Sequence, residues 1–85
     1  MIEEFNKAVE RSKALTERPS NEDLLQLYAL YKQAVQGDVK GERPGGFDFK
    51  GAAKYDSWSK LQGMADEQAM SAYIDLVEFL HRKEN

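Results

Sequence analysis

The sequence predicts an all-α fold: four helices packed as a bundle, with a long irregular loop between the second and third. Three observations carry this. Apolar residues recur at spacings of three and four in four separate stretches. Proline, glycine and helix-capping residues fall between those stretches. No stretch shows the two-residue alternation of a strand, and no repeat or low-complexity tract interrupts the pattern.

The first helix is expected from Glu3 to Leu15, where Phe5, Ala8, Val9 and Leu15, with the small Ser12, share one face. Pro19 ends it, because proline disfavours the helical conformation at the residue before it, here Arg18. Ser20 or Asn21 then offers an N-cap oxygen, and Glu22 and Asp23 stand in the first turn, where carboxylates suit the helix dipole. The second helix carries Leu24, Leu25, Leu27, Tyr28, Leu30, Tyr31, Ala34 and Val35. That is more apolar surface than one packed stripe needs, so two faces should be in use. Gly37 supplies the left-handed stop.

From Asp38 to Phe49 the chain holds Gly41, Pro44, Gly45 and Gly46 and reads as a loop, longer than the usual connection of about 4 to 6 residues. The third helix is expected from about Gly51 to Gln62, with Ala53, Lys54, Trp58 and Leu61 at helical spacing and Gly63 as terminator. The fourth begins near Asp66, the expected cap, and runs through Ala69, Met70, Tyr73, Ile74, Val77 and Leu80 to the basic His81, Arg82 and Lys83. Burial of the phenylalanine, leucine, tryptophan and isoleucine side chains on these faces should hold the bundle together.

At 85 residues the chain has room for one domain, spanning 1–85, and not for a second core. Charged residues make up 32% and hydrophobic ones 41%, an ordinary balance for a chain that folds on its own. With no cysteine, neither disulfides nor thiolate metal sites can brace the fold. No apolar run approaches the roughly 20 residues of a membrane span, and the acidic start from Met1 to Glu4 lacks the basic and apolar regions of a secretory signal. The cytoplasm is the default expectation. A formal net charge of −3 disfavours nucleic acid as a partner, since phosphate backbones are drawn to broad basic surfaces. Any phosphate site must be local.

Catalysis finds little footing. The single histidine, His81, falls in what reads as a frayed polar helix end, far in sequence from the serines that could act as nucleophiles. One histidine and no cysteine leave only scattered acids for a metal, so no metal is expected. The pairs Glu3-Glu4 and Glu22-Asp23 are most simply solvated helix starts. The loop glycines follow no strand and match neither a dinucleotide fingerprint nor a Walker loop. These residues point to a binding protein rather than an enzyme.

Tyr28 and Lys32 stand four apart and so stack on one helical face, with Tyr31 on the adjoining ridge. Lys50 and Lys54 repeat that spacing at the start of the third helix, Lys50 close to the amide-rich N-terminus. An anion between the two helices would relieve the repulsion among the lysines, while tyrosine hydroxyls donate hydrogen bonds and rings stack on a base. The same residues also admit a plainer reading, with Tyr28 and Tyr31 as core residues whose hydroxyls are solvated and the lysines as wet surface.

The run Tyr28-Ala29-Leu30-Tyr31-Lys32, the stretch Lys50-Gly-Ala-Ala-Lys54-Tyr-Asp-Ser-Trp58, and the loop ending Glu42-Arg43-Pro44-Gly45 together resemble the acyl-CoA-binding protein family. The resemblance covers nearly the whole chain, from Phe5 to Tyr73-Ile74-Asp75. It implies a four-helix acyl-CoA-binding-protein-like bundle. It also implies that Lys32, Lys54 and the Tyr28 hydroxyl hold the ribose 3'-phosphate of coenzyme A, with Tyr31, Tyr73 and Lys13 around the adenine and the remaining phosphates; Lys50 is a further contributor. Tyr55 stands where tryptophan is common in relatives, Gly46 replaces a usually bulkier residue and should loosen the loop, and Met64-Ala65 lacks the hydroxyl residue often found before the fourth helix.

A phosphomonoester carries about −1.5 to −2 charge near neutral pH, and hydrogen bonds to it from two lysines are each roughly twice as strong as neutral ones. Phe5, Val9, Leu25 and Ala53 are the candidates for an apolar groove taking the acyl tail, each on a helix beside the polar site. Each buried methylene contributes about 0.8 kcal/mol until such a groove is filled. The resemblance therefore implies a monomeric intracellular carrier and buffer of medium- to long-chain fatty acyl-CoA esters, touching membranes or acyl-CoA-using enzymes only transiently and needing no cofactor. The competing expectation is a helical protein-interaction module or peptide-like effector that has lost ligand binding.

Overall fold

The computed structural model describes residues 1–84. It contains α1 (Ile2–Ser12), α2 (Asn21–Gln36), α3 (Phe49–Ser59) and α4 (Asp66–Glu84), with no strand among the described residues. The boundaries follow from local chemistry, and several depart from the periodicity. The first helix stops at Ser12 rather than Leu15. The Lys13 and Ala14 amides bond to the carbonyls of Glu10 and Arg11, three residues back, and the Ser12 hydroxyl donates to the Val9 carbonyl at 2.7 Å. Both are features of a tightening last turn. Leu15 lies beyond the helix yet still packs against the core.

Ser20 caps α2, its hydroxyl accepting the Asp23 amide at 3.1 Å, and Gly37 closes it at φ 80°, a conformation that side chains rarely adopt. The third helix begins at Phe49, two residues before Gly51, because the Asp48 carboxylate accepts the Gly51 amide at 2.9 Å. A Cβ at Gly51 would collide with that carboxylate, so the glycine lets the cap close. This helix ends at Ser59, short of Gln62, and the chain turns to Gly63. Asp66 is not the cap of α4 but its first residue. Gln68 reaches back to accept the Ala65 amide at 3.1 Å, half of a capping box, while the Asp66 carboxylate accepts the Glu67 amide at 2.8 Å.

α2 packs against both α3 and α4, and α1 packs on α4. The core joins Phe5 and Ala8 of α1, Leu27, Leu30 and Ala34 of α2, and Met70, Tyr73, Val77 and Leu80 of α4. The expected mix of core residues is only partly realised. Phe5 is the one buried phenylalanine, with Phe47, Phe49 and Phe79 all exposed, while Ile74 is only half-buried and Val35 faces solvent. α2 indeed uses two faces. Leu27, Leu30 and Ala34 turn to the core, and Leu24, Leu25 and Tyr28 turn to α3.

One buried polar side chain, Gln33, locks three elements together. Its amide nitrogen donates to Asp38 and to the Met64 carbonyl, both at 2.9 Å, and its oxygen accepts the Trp58 indole N–H at 3.1 Å. The indole N–H is shared with the Gly37 carbonyl at 2.8 Å. Asp38 also accepts the Gly63 amide at 2.7 Å. These contacts seat the end of α2 against the end of α3 and the start of α4. Since Tyr28 meets Lys54 and Gln33 meets Trp58, α2 and α3 run in the same direction. The connection between them must therefore return along α3, and it is fastened on the way by Tyr55 donating to the Gly41 carbonyl at 3.0 Å and by a two-pronged Arg43–Asp56 pair at 2.8 and 2.9 Å. The loop that Gly46 was expected to loosen is thus held at two points.

Candidate functional site

The outward face of α2 and the facing side of α3 enclose an open groove of about 480 Å³. Leu24, Leu25 and Tyr28 form one wall and Phe49, Lys50, Ala53 and Lys54 the other, with Arg18 and Asn21 at the end where both helices begin. The parallel run of the helices is what aligns these residues. Asn21, Leu24, Leu25, Tyr28 and Lys32 recur at helical spacing along α2, as Phe49, Lys50, Ala53 and Lys54 do along α3.

At the Tyr28 level the charges converge. The Lys54 ammonium lies 5.2 Å from the centre of the Tyr28 ring, and the Lys32 ammonium lies 6.0 Å from the same ring and 5.1 Å from Trp58. All three distances fit cation–π contact. Among the described residues neither lysine has a carboxylate partner, nor do Lys50 and Arg18; the ion pairs involve Met1–Glu4, Lys13–Glu10 and Arg43–Asp56. Three uncompensated cations on one groove, with Lys32 a fourth beside its Tyr28 wall, form a local anion-attracting surface in a chain whose net charge is −3. Arg18 donates only to neutral oxygens, of Pro19 and Asn21, at 3.4 and 3.2 Å.

Around the corner of α2 stands a second, aromatic cluster. Tyr31 stacks on Phe5 with ring centres 6.0 Å apart, Tyr73 meets Phe5 edge-on at 5.2 Å, and Tyr31 and Tyr73 are 6.4 Å apart. Tyr31 is exposed, whereas Tyr73 is buried, with its hydroxyl donating to Ser12 at 3.1 Å. Tyr73 is therefore a core residue that backs Tyr31 and offers little surface of its own. Lys13 lies exposed at the end of α1, 3.6 Å from Glu10.

The structure thus brings Tyr28, Lys50, Lys54, Leu25 and Ala53 to one groove, with Lys32 beside its Tyr28 wall. It does not bring Phe5 and Val9 there. Phe5 is buried beneath Tyr31, and Val9 packs half-buried against the core, so the four apolar candidates do not line a single channel. Arg18, Asn21, Leu24 and Phe49 line the groove without having been singled out. For Asn21, Leu24 and Phe49 the signal is helical register with Leu25, Tyr28 and Lys54; Arg18 lies before α2 and has no such register. His81 is not frayed: the helix continues to Glu84, and a His81 ring nitrogen lies 2.8 Å from the Arg11 carbonyl. Among the described residues no three histidine, aspartate or glutamate side chains cluster in a way that could hold a metal.

Four carboxylates outside the groove, Glu4, Asp38, Asp56 and Glu84, are held below their usual range by the donors they accept. The Gly63 amide, then Gln33, hold Asp38 below the usual carboxylate range. The Thr16 hydroxyl, then the Glu17 amide, do the same for Glu84, which clamps the α1–α2 link to the end of α4.

Known proteins are similar to this chain in sequence and in fold. The acyl-CoA-binding protein homolog of Drosophila melanogaster is 49% identical over 81 residues, covering 95% of this chain and 94% of its own length. The crystal structure of Oryza sativa acyl-CoA-binding protein 2 superposes with a TM-score of 0.91 at 44% identity, covering 96% of this chain and 91% of that one. That of the Moniliophthora perniciosa protein also gives 0.91, at 34% identity, over 98% and 82%. The family model described as acyl CoA binding protein matches residues 2–77, a span that holds all four helix starts and every groove residue. The chain belongs to the acyl-CoA-binding protein family.

Proposed function

We propose that this chain, as a single monomeric domain, binds medium- to long-chain fatty acyl-CoA esters and serves as a cytoplasmic carrier and buffer for them. One observation carries the reading: two unpaired ammonium groups stand over the ring of Tyr28, one from each of two parallel helices, at the edge of an apolar groove. The ribose 3'-phosphate is the group this arrangement suits, with Lys32 and Lys54 supplying charge-assisted hydrogen bonds and Tyr28 a hydroxyl. Tyr31, exposed and supported from behind by Phe5 and Tyr73, presents a face on which the adenine stacks. Lys50 and Lys13 contribute longer-range attraction to the other phosphates. Leu24, Leu25, Phe49 and Ala53 cover the tail, each buried methylene adding about 0.8 kcal/mol.

The grip on the head and the cover on the tail explain why the ester would be held better than either half. A carrier of this kind needs no nucleophile or base, and the groove lining contains neither serine nor histidine. Family membership supports the reading, and so does the absence, among the described residues, of a helix long and apolar enough to cross a membrane. Calorimetric titration with palmitoyl-CoA, free CoA and palmitate, below the concentration at which the ester forms micelles, tests it. Tight saturable binding of the ester and weak binding of both halves is expected. No binding of any of the three would leave a family fold without its ligand and favour the protein-interaction reading.

A further inference from the structure

Phe47 and Phe49 are the most exposed large apolar side chains of the chain, at 92% and 73% of their full accessibility. They meet edge to face with ring centres 6.3 Å apart, at the loop tip that leads into α3. Water disfavours such a pair, and neither ring contributes to the core. Their setting is basic. Phe49 lines the groove beside Lys50, with Lys54 and Arg18 on the same face, and these three cations lack carboxylate partners among the described residues. At the opposite end of the bundle, where α1 and α4 begin, Glu3, Glu4, Asp66 and Glu67 gather around a separate depression. Glu22, Asp23 and Asp48 stand at the same end as the rings but none of them lines the groove, so the cationic surface is the groove face itself, with Phe49 on it and Phe47 beside it.

From this coincidence we infer that the Phe47–Phe49 tip and the Arg18–Lys50 rim form a docking surface for an anionic lipid bilayer. The rings enter the interface between headgroups and acyl chains, where aromatic side chains partition favourably. The three cations of the groove face attract the negative leaflet. This deepens the carrier reading, on which its purpose rests: the groove that Phe49 lines would open directly onto the surface in which a detergent-like ester resides.

The test is flotation of the purified protein with vesicles of equal parts phosphatidylcholine and phosphatidylserine, without any acyl-CoA, so that docking is read apart from ligand binding. Phe47→Ala is the chosen variant because Phe47 is exposed and does not line the groove. It should lower partitioning about tenfold, the scale expected for losing one partly inserted aromatic side chain. Phe47→Trp should restore it, and vesicles of phosphatidylcholine alone should bind both forms weakly. Palmitoyl-CoA affinity in solution, measured on the same preparations, should be equal in wild type and Phe47→Ala. Equal partitioning of wild type and Phe47→Ala would overturn the docking surface, as would failure of the wild type to bind anionic vesicles. A loss of soluble palmitoyl-CoA binding in the wild type would instead count against the carrier reading.

Discussion

Two polar clusters lie on either side of Trp58, and they are built on opposite terms. On one side Gln33, Asp38, the indole N–H and three backbone groups satisfy one another, and among the described residues no buried side-chain polar atom lacks a partner. On the other side Lys32, 5.1 Å from the ring of the same indole, and Lys54, which lines the open groove, pair with no carboxylate among the described residues. A closed network contributes to folding because leaving any member unpaired is costly. An open set of like charges contributes nothing to folding and awaits an anion from outside. The contrast separates the residues that make the fold from those that make the site, although they are neighbours on the same helix.

Breaking the closed cluster should have the largest effect. Gln33→Leu removes the amide from beneath Trp58, Asp38 and Met64, and should lower stability by about 2 to 4 kcal/mol, read from the midpoint of urea unfolding. Palmitoyl-CoA affinity at low temperature, where the variant is still folded, should change far less. Were Gln33→Leu as stable as wild type, the hub would be decorative and the contrast void. Opening the site further should do the reverse. Lys54→Ala, and separately Lys32→Ala, should weaken palmitoyl-CoA binding by about 1.5 to 3 kcal/mol, the scale of hydrogen bonds to charged groups, while leaving the melting temperature unchanged or slightly raised. Calorimetry checks the first half and thermal unfolding the second; wild-type affinity in either variant removes that lysine from the site.

Tyr73→Phe sharpens the comparison at the boundary. Losing the hydroxyl bond to Ser12 should cost about 0.5 to 1.5 kcal/mol of stability. Its effect on palmitoyl-CoA affinity should be smaller than that of Lys54→Ala, because Tyr73 backs Tyr31 from within the core. An affinity loss equal to that of Lys54→Ala would give the hydroxyl a direct role with the ligand.

The smallest effect concerns acid. Asp38 and Glu84 have folded values held below their ordinary ones of 3.8 and 4.5, so each contributes stability that is fully present above those values and is lost as the pH falls through the folded ones. Urea midpoints should therefore hold steady from neutral pH down to the ordinary carboxylate range and decline below it. Asp38→Asn should flatten part of that decline; an unchanged pH profile would show that the Gly63 and Gln33 contacts do not persist in solution.

Most of the architecture was legible because it repeats. The faces of α2 and α4 recur at helical spacing, and the Tyr28, Lys32, Lys50 and Lys54 positions follow from two such registers laid side by side. What escaped depends on contacts between residues distant in sequence. A glutamine within a helix reads as solvent-facing, and nothing local announces that Gln33 will meet Trp58 and the carbonyl of Met64. Helix ends were displaced by side chains competing for backbone groups, Ser12 at one and Asp48 at another. Phe5 and Val9 read as groove residues because each is apolar and on a helix beside the polar site; burial under Tyr31 and against the core decides otherwise.

The common direction of α2 and α3 has a consequence for how the chain can be edited. Neighbouring helices joined by a short link must run antiparallel, whereas parallel ones require the chain to travel back over the length of the second. For the 11 residues of α3 that distance is about 17 Å, which at least five extended residues must span. The segment from Gly37 to Asp48 exceeds this minimum, and its slack is taken up by the anchors at Gly41 and Arg43. Shortening it past that limit would not tighten the protein but reverse α3, carrying Phe49 and Lys50 away from the groove mouth and Trp58 away from Gln33. The length of this connection is in effect a ruler, and the site depends on its reading.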